Sequence, residues 1–317
     1  MSQRQVITQT LGVTEVTIDY HRPLVNGRTV WGGLVPYDTV WRAGANDNTT
    51  IRFSDPVKIE GHDLAAGTYG LHMLPGEDEW QILFSNNSTS WGSFTYDEAE
   101  DALRVTVRPE TAPFQEVLEY RFDHLTLDGG VIVLHWEELE VPFEIEVDTQ
   151  ALTLAKIRRD LRHQPRFSWQ GWNSAAAYCA QNNVNHEEAL EWVDRALSME
   201  ENFANLRVKS QLLEQTGKTD EALALAEQSL ALANEAQTNA LGYQFLGRGD
   251  IDKAIEIFAK NTRDHPESWN VWDSLGEGQA NKGLNAEAIA NYKKALEMAP
   301  EDQHARIQQV LEGLESQ

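Results

Sequence analysis

In the second half of the chain one small residue returns at a nearly fixed interval. Ala189, Ala222, Ala254 and Ala288 stand 33, 32 and 34 residues apart. A period of that length specifies a supersecondary unit that can bury its apolar face only against the next copy, so the chain from Trp169 onward has to stack. The last copy carries Trp272, Leu275, Gly276, Gly283, Ala288, Tyr292, Ala295 and Pro300 in register. The third supplies Leu241, Gly242, Phe245, Gly249, Ala254, Phe258 and Pro266, and the second keeps Leu213, Gly217, Ala222 and Ala226. In the first, Trp172, Ala176, Ala189, Val193 and Ala196 fit once an extra residue is allowed between Asn182 and His186. Small residues let paired helices approach, large ones fill the gap, glycines turn the chain and prolines end the second helix.

These are the positions of the tetratricopeptide repeat. Residues 167–317 are therefore expected to form four tetratricopeptide-like helix pairs, a right-handed solenoid with a concave groove, closed by a helix over Gln303–Leu314. The partner expected in that groove is a protein or peptide. Trp172 and Trp272 fall at packing positions. Trp169 and Trp269 precede them by one helical turn, where they either cap the unit or line the groove.

Before Asp148 the period is two, as in Val16, Ile18, Tyr20, in Tyr69, Leu71, Met73, and in Leu103, Val105, Val107. Alternation of this kind marks strands with one buried face. About nine short strands separated by Gly, Pro, Asp and Asn predict an antiparallel β-sandwich. The fold class expected is thus multidomain, all-β followed by all-α. The β-sandwich takes residues 1–148, a bridging helix and linker 149–166, and the α-solenoid the remainder. The bridge is read from Ala151–Leu161, broken by the segment around Pro165.

Charge narrows the partners. The chain has 26 Lys and Arg against 50 Asp and Glu, a formal net charge of −24, which repels nucleic-acid phosphates and anionic membranes. Residues 1–150 carry −16 of it and residues 151–317 carry −8. Cys179 is the sole cysteine, so no intrachain disulfide forms, and its place in a repeat helix suits packing. No apolar run reaches the roughly 18 residues of a membrane-spanning helix. His186-Glu187 begins like a metalloprotease helix motif, but Leu190 stands where the second His is required. No Gly-x-Ser-x-Gly, dinucleotide fingerprint or complete phosphate loop occurs, and without a complete catalytic motif the sequence assigns neither a reaction nor a cofactor.

One stretch stands out. His21–Asn48 places Arg22, Arg28 and Arg42 together with Trp31, Tyr37, Trp41 and Asn46 in the more acidic half. Two readings are open. Arginine forks and aromatic faces suit a small anionic or sugar-like ligand; alternatively each arginine staples a long loop to the sandwich through a carboxylate.

The same stretch resembles a known family. Arg22-Pro23, Gly27-Arg28, Gly32-Gly33-Leu34-Val35-Pro36-Tyr37, Val40-Trp41-Arg42 and Gly44-Ala45-Asn46 are similar to the signature of the bacterial domain of unknown function 2911. Ala66-Gly67-Thr68-Tyr69, Trp80, Trp91-Gly92 and Trp136-Glu137 continue the likeness. The resemblance covers residues 5–147 and extends to members with C-terminal repeats. It implies no assigned activity, and an extracytoplasmic setting because members usually begin with a secretion signal. The chain opens Met1-Ser2-Gln3-Arg4 without one, so Met1 reads as a start placed after its removal. The expected location is periplasmic or secreted, with a cytoplasmic one as the alternative.

For metals, His135-x-Glu137 puts two ligand types on one strand face, and Glu119 or His72 on a neighbouring strand would complete a zinc or iron site. The plainer alternative is an ordinary polar sheet face. Two functional classes follow. One is an interaction protein whose repeats hold a partner while the β-domain binds a ligand or docks on the repeats. The other is an enzyme or sensor using Arg22, Arg28, Arg42 and Asn46, with His72 and Glu137 as acid/base or metal candidates.

Overall fold

The computed structural model describes residues 2–316. Its contacts divide the chain into two compact units, one ending at Arg159 and the other beginning at Asp160. The division falls inside the segment 149–166 that the sequence sets aside as a bridge.

The first unit is a sandwich of two antiparallel sheets. Its strands are β1 (Gln3–Leu11), β2 (Thr14–Arg22), β3 (Thr50–Phe53), β4 (Val57–Ile59), β5 (His62–Leu64), β6 (Gly67–Pro75), β7 (Trp80–Ser85), β8 (Asp101–Val107), β9 (Glu110–Asp123) and β10 (Gly129–Glu146). One sheet runs β1-β2-β3-β6-β7-β8 and the other β5-β4-β10-β9. β9 and β10, 14 and 18 residues long, pair along most of their length, so the expectation of uniformly short strands gives way to one long ribbon. Val16, Ile18, Tyr20, Tyr69, Leu71, Met73, Ile82, Phe84, Val105 and Val107 enter the core between the sheets, as their alternation requires. α1 (Thr149–Asp160) follows the last strand.

Between β2 and β3 the chain leaves the sheet and returns to it. Trp41 exchanges both backbone hydrogen bonds with Met73 at 2.8 Å, and Leu71 N–H donates to Thr49 at 2.8 Å. Residues 42–48 are therefore an excursion looped out along β6. The segment is held from inside by indoles. Trp31 packs edge-to-face on Trp80, Trp136 and Trp41 at centroid distances of 4.9, 5.6 and 5.9 Å. Tyr120, buried, donates its hydroxyl to Ala43 O at 2.9 Å.

The second unit consists of four helix pairs and a closing helix. The pairs are α2 (Trp169–Asn182) with α3 (His186–Met199), α4 (Phe203–Gln215) with α5 (Thr219–Ala231), α6 (Glu235–Gly247) with α7 (Ile251–Asp264), and α8 (Trp269–Asn281) with α9 (Asn285–Met298). α10 (Glu301–Glu315) closes the stack, burying Ile307 and Leu311 against Ala288, Tyr292 and Ala295. The repeat alanines Ala189, Ala254 and Ala288 have no exposed surface, and Ala222 has 4%. Three pairs turn through a glycine at positive φ; the first uses Asn183 and Asn185 at φ +55° and +51° instead, which accommodates its extra residue. Trp172 and Trp272 are tied alike, their indole N–H groups donating to Arg166 O at 2.8 Å and Pro266 O at 3.0 Å.

Gly242 of α6 faces the buried Phe258 of α7 so closely that an added Cβ would lie 2.3 Å from the ring, whereas Gly247 meets nothing within 4 Å. Gly242→Ala is expected to lower stability by about 1–3 kcal/mol through overpacking. Gly247→Ala should raise it by a few tenths to about 1 kcal/mol through helix propensity. Chemical denaturation followed by helical circular dichroism checks both; equal effects would contradict the packing.

Candidate functional site

The arginines of the 21–48 stretch are held by separate partners. Arg22 donates Nε to Leu118 O at 2.9 Å and stands 3.5 Å from Glu119, fastening the end of β2 to β9. Arg28 folds back on its own segment, to Val25 O at 3.1 Å and Leu24 O at 2.5 Å. Arg42 donates to the backbone oxygen of Asn46, and its guanidinium lies 5.7 Å from the ring of Trp91 and 5.5 Å from that of Phe94. Trp31 and Trp41 belong to the indole cluster, where Trp41 N–H donates to Gly44 O at 3.1 Å. Tyr37 rests over Gly32 at the surface, and Asn46 Nδ2 donates to Ser2 O at 3.1 Å. Arg22, Arg28, Trp31 and Trp41 thus fix the loop, and Arg42 reaches the aromatic pair Trp91 and Phe94 of a later segment.

The metal candidates are dispersed as well. A β-bulge between His135 and Glu137, with Glu137 at φ +58°, breaks the alternation that would put both on one face. His135 bonds Pro113 O at 2.9 Å and lies 3.4 Å from Glu140. Glu119 sits against Arg22, while Glu137 accepts from the backbone of Glu138. Among the described residues no three His, Cys, Asp or Glu side chains converge as metal ligands.

His72 lies in the other sheet and has a different surrounding. Because Tyr69, Leu71 and Met73 face the core, Gly70 and His72 turn to the outer side of β6, and Leu83 does the same on β7. That side would ordinarily be wet, yet Gly70, His72, Leu83 and Ser85 are all buried. The cover is the segment 86–100 joining β7 to β8. Ser93 Oγ lies 2.9 Å from His72 Nδ1, and the Tyr96 ring packs edge-on against the imidazole at 5.4 Å. Tyr96 donates its hydroxyl to Asp101 Oδ2 at 2.6 Å, and Arg104 holds the same oxygen at 3.0 Å. Burial and the bond to Asp101 raise the Tyr96 pKa, keeping the phenol neutral. At the rim, Trp91 and Phe94 stack at 5.5 Å while remaining 65% and 73% exposed.

In the helical unit the fifth residue of each first helix forms a row: Asn173 in α2, Arg207 in α4, Asn239 in α6 and Asp273 in α8. Asp273 is buried and satisfied, accepting from Arg306 of α10 at 2.8 Å. The other three are not. Asn173 Oδ1 and Asn239 Oδ1 are buried without a partner, and Arg207 makes no hydrogen bond or ion pair among the described residues. Burial, then the neighbouring Arg248, depress the pKa of Arg207. The repeat register contains this row, but sequence reasoning followed its packing positions and passed over it.

Residues 2–145 match the family described as a protein of unknown function, DUF2911, and residues 270–302 match a tetratricopeptide repeat. The peroxisomal targeting signal receptor of Saccharomyces cerevisiae is 34% identical over 88 residues, covering 26% of this chain and 14% of the receptor. The chain therefore spans only a small part of that relative's length. Among solved structures, MamA shares 20% identity, covering 48% of this chain and 83% of its own, with a TM-score of 0.32. YrrB, described as a tetratricopeptide protein with an unusual peptide-binding site, shares 19% identity over 50% of this chain and 82% of its own, with a TM-score of 0.31.

Burial drives the pKa of His72 down to about 4, outweighing the opposing pull of Asp101. The unfolded chain titrates this residue near the ordinary value of about 6.5, so the unfolded state binds the extra proton between those limits. Stability from a neutral His72 is then complete above pH 6.5 and is lost as the pH falls toward 4. Denaturation of the wild type and of His72→Gln across pH 4–7 checks this. The expected result is a steeper loss on acidification in the wild type, and parallel curves would contradict it.

Proposed function

We propose that this chain, whose N-terminal domain belongs to the DUF2911 family, is an interaction protein in which the tetratricopeptide repeats hold an extended segment of a protein partner. The observation that carries the reading is the row on the first helices. A half-buried guanidinium with no hydrogen bond or ion pair among the described residues, on the helix whose neighbours in the repeat order carry buried amide oxygens without donors at the same position, is unfavourable in the free protein and is relieved by a partner that brings both. A peptide does so, because its backbone N–H groups suit Asn173 and Asn239 and an acidic side chain or terminal carboxylate suits Arg207. Stacked helix pairs of this kind present extended binding surfaces, and the repeat match over residues 270–302 supports that architecture. An extracytoplasmic setting belongs to the same proposal and rests on the family resemblance alone.

Selection of random peptides displayed on phage against the full chain tests this. Acidic peptides should be enriched, and Arg207→Glu should abolish their capture while leaving helical circular dichroism unchanged. No enrichment over an unrelated helical protein, or enrichment indifferent to Arg207→Glu, would contradict it.

A further inference from the structure

The outer side of β6 and β7 is buried under the segment 86–100, yet the interface is polar and incompletely paired. Asp101 is the clearest case. Its side chain is only 9% exposed, with Oδ2 bonded to Tyr96 and Arg104 and Oδ1 buried without a protein partner. Asn48, on the looped-out excursion, shows the same imbalance. Its Nδ2 donates to Asn87 O at 3.4 Å, which fixes the amide orientation, and leaves Oδ1 buried and unpaired. An unpaired buried acceptor costs about 1–3 kcal/mol, and such groups call for an explanation in a native fold. A cover evolved only to shield Leu83 would be expected to be apolar.

Neighbouring groups define what would satisfy them. His72, whose other ring nitrogen meets Ser93, and the amide of Asn48 crowd around Gly70, where an added Cβ would lie 2.6 Å from Asn87 O, 2.9 Å from Asn48 Nδ2 and 3.1 Å from His72 Nε2. Ser93 is bracketed in sequence by Trp91 and Phe94, whose stacked rings are largely exposed and have Arg42 packed against both. Arg42 makes no carboxylate pair among the described residues; its one hydrogen bond is to Asn46 O. An aromatic platform, an arginine donor and two buried acceptors thus lie together on the outer face of the six-stranded sheet.

We infer that this part of the outer face, formed by Asn48, His72, Asp101, Arg42, Trp91 and Phe94, is a binding site for a neutral saccharide, with the segment 86–100 as its wall. Hydroxyl groups supply the donors that Asn48 Oδ1 and Asp101 Oδ1 lack and accept from Arg42. The apolar face of a pyranose ring lies on the indole and phenyl rings, as amphipathic aromatic surfaces favour. Charge selects against the alternatives. Arg42, close enough to act on the imidazole of His72, acts against a cationic ligand, and the two unpaired acceptors Asn48 Oδ1 and Asp101 Oδ1 call for hydroxyl donors that the oxygens of an anion cannot supply. This site is independent of the repeats and of peptide binding there.

Isothermal titration calorimetry of the full chain with cellobiose, maltose and N,N′-diacetylchitobiose tests the inference, with glucuronate and glucosamine as charged probes. At least one neutral disaccharide should bind. Trp91→Ala, at an exposed position that leaves the fold intact, should weaken it about tenfold, and Asn48→Ala about three- to tenfold. Silence with all three neutral sugars overturns the inference, as does preferential binding of either charged probe or affinity unchanged in Trp91→Ala. A proton NMR signature of the bound sugar transferring saturation from aromatic protons should accompany binding and vanish in Trp91→Ala; its persistence would also count against the site.

Discussion

The β-domain depends on four indoles. Trp80 stands on β7 in the six-stranded sheet and Trp136 on β10 in the four-stranded one, each 1% exposed, and Trp31 touches both. Trp41 stacks on Trp136 at 6.0 Å. Each such pair contributes about 0.5–1.5 kcal/mol beyond its area. The cluster therefore does what neither sheet can do alone: it fixes a 27-residue connection, Pro23 to Thr49, that has little regular structure. Asn26, Asp38, Ala43 and Asn46 all adopt positive φ along it, a conformation unfavourable for residues with a side chain. With the loop so anchored, Arg42 and Asn48 are carried to the outer face of β6, where the segment 86–100 meets them.

Much of this was legible in the sequence. Period-two runs such as Tyr69, Leu71, Met73 identify the inward face of β6, and the returns of Ala189, Ala222, Ala254 and Ala288 identify the stacked pairs. Both signals are local or strictly periodic. Trp31 and Trp41 were a different matter. A tryptophan beside an arginine reads equally as a stacking surface or as a core anchor, and only tertiary packing separates the two. His135 and Glu137 illustrate the limit of period reasoning, because a bulge between them shifts the register.

The polar cover over His72 was the least legible part. Asn48, His72, Ser93 and Asp101 come from four segments, and nothing in their spacing links them. Alternation does place His72 opposite Met73, but an outward histidine normally reaches solvent. What reverses its environment is the return of the chain at 86–100, which no propensity or motif announces. The row Asn173, Arg207, Asn239, Asp273 is the opposite case, since it is fixed by the repeat and readable once attention moves from the packing positions to the fifth residue of each first helix.

Charge takes on a sharper meaning in this light. The helical half carries −8 overall, yet Arg207 forms no ion pair among the described residues while Asp273, two repeats on, already has Arg306. Among the described residues Arg207 thus lacks an ion pair and has a second cation, Arg248, beside it, although the helical half is acidic overall, a local reversal that favours a specific anionic contact over general attraction. Hydrogen–deuterium exchange of the full chain with and without a bound acidic peptide tests this most directly. Protection centred on the first helices α2, α4 and α6 is the expected result. Protection confined to the second helices α3, α5 and α7, or none in the repeats, would contradict a partner held by that row.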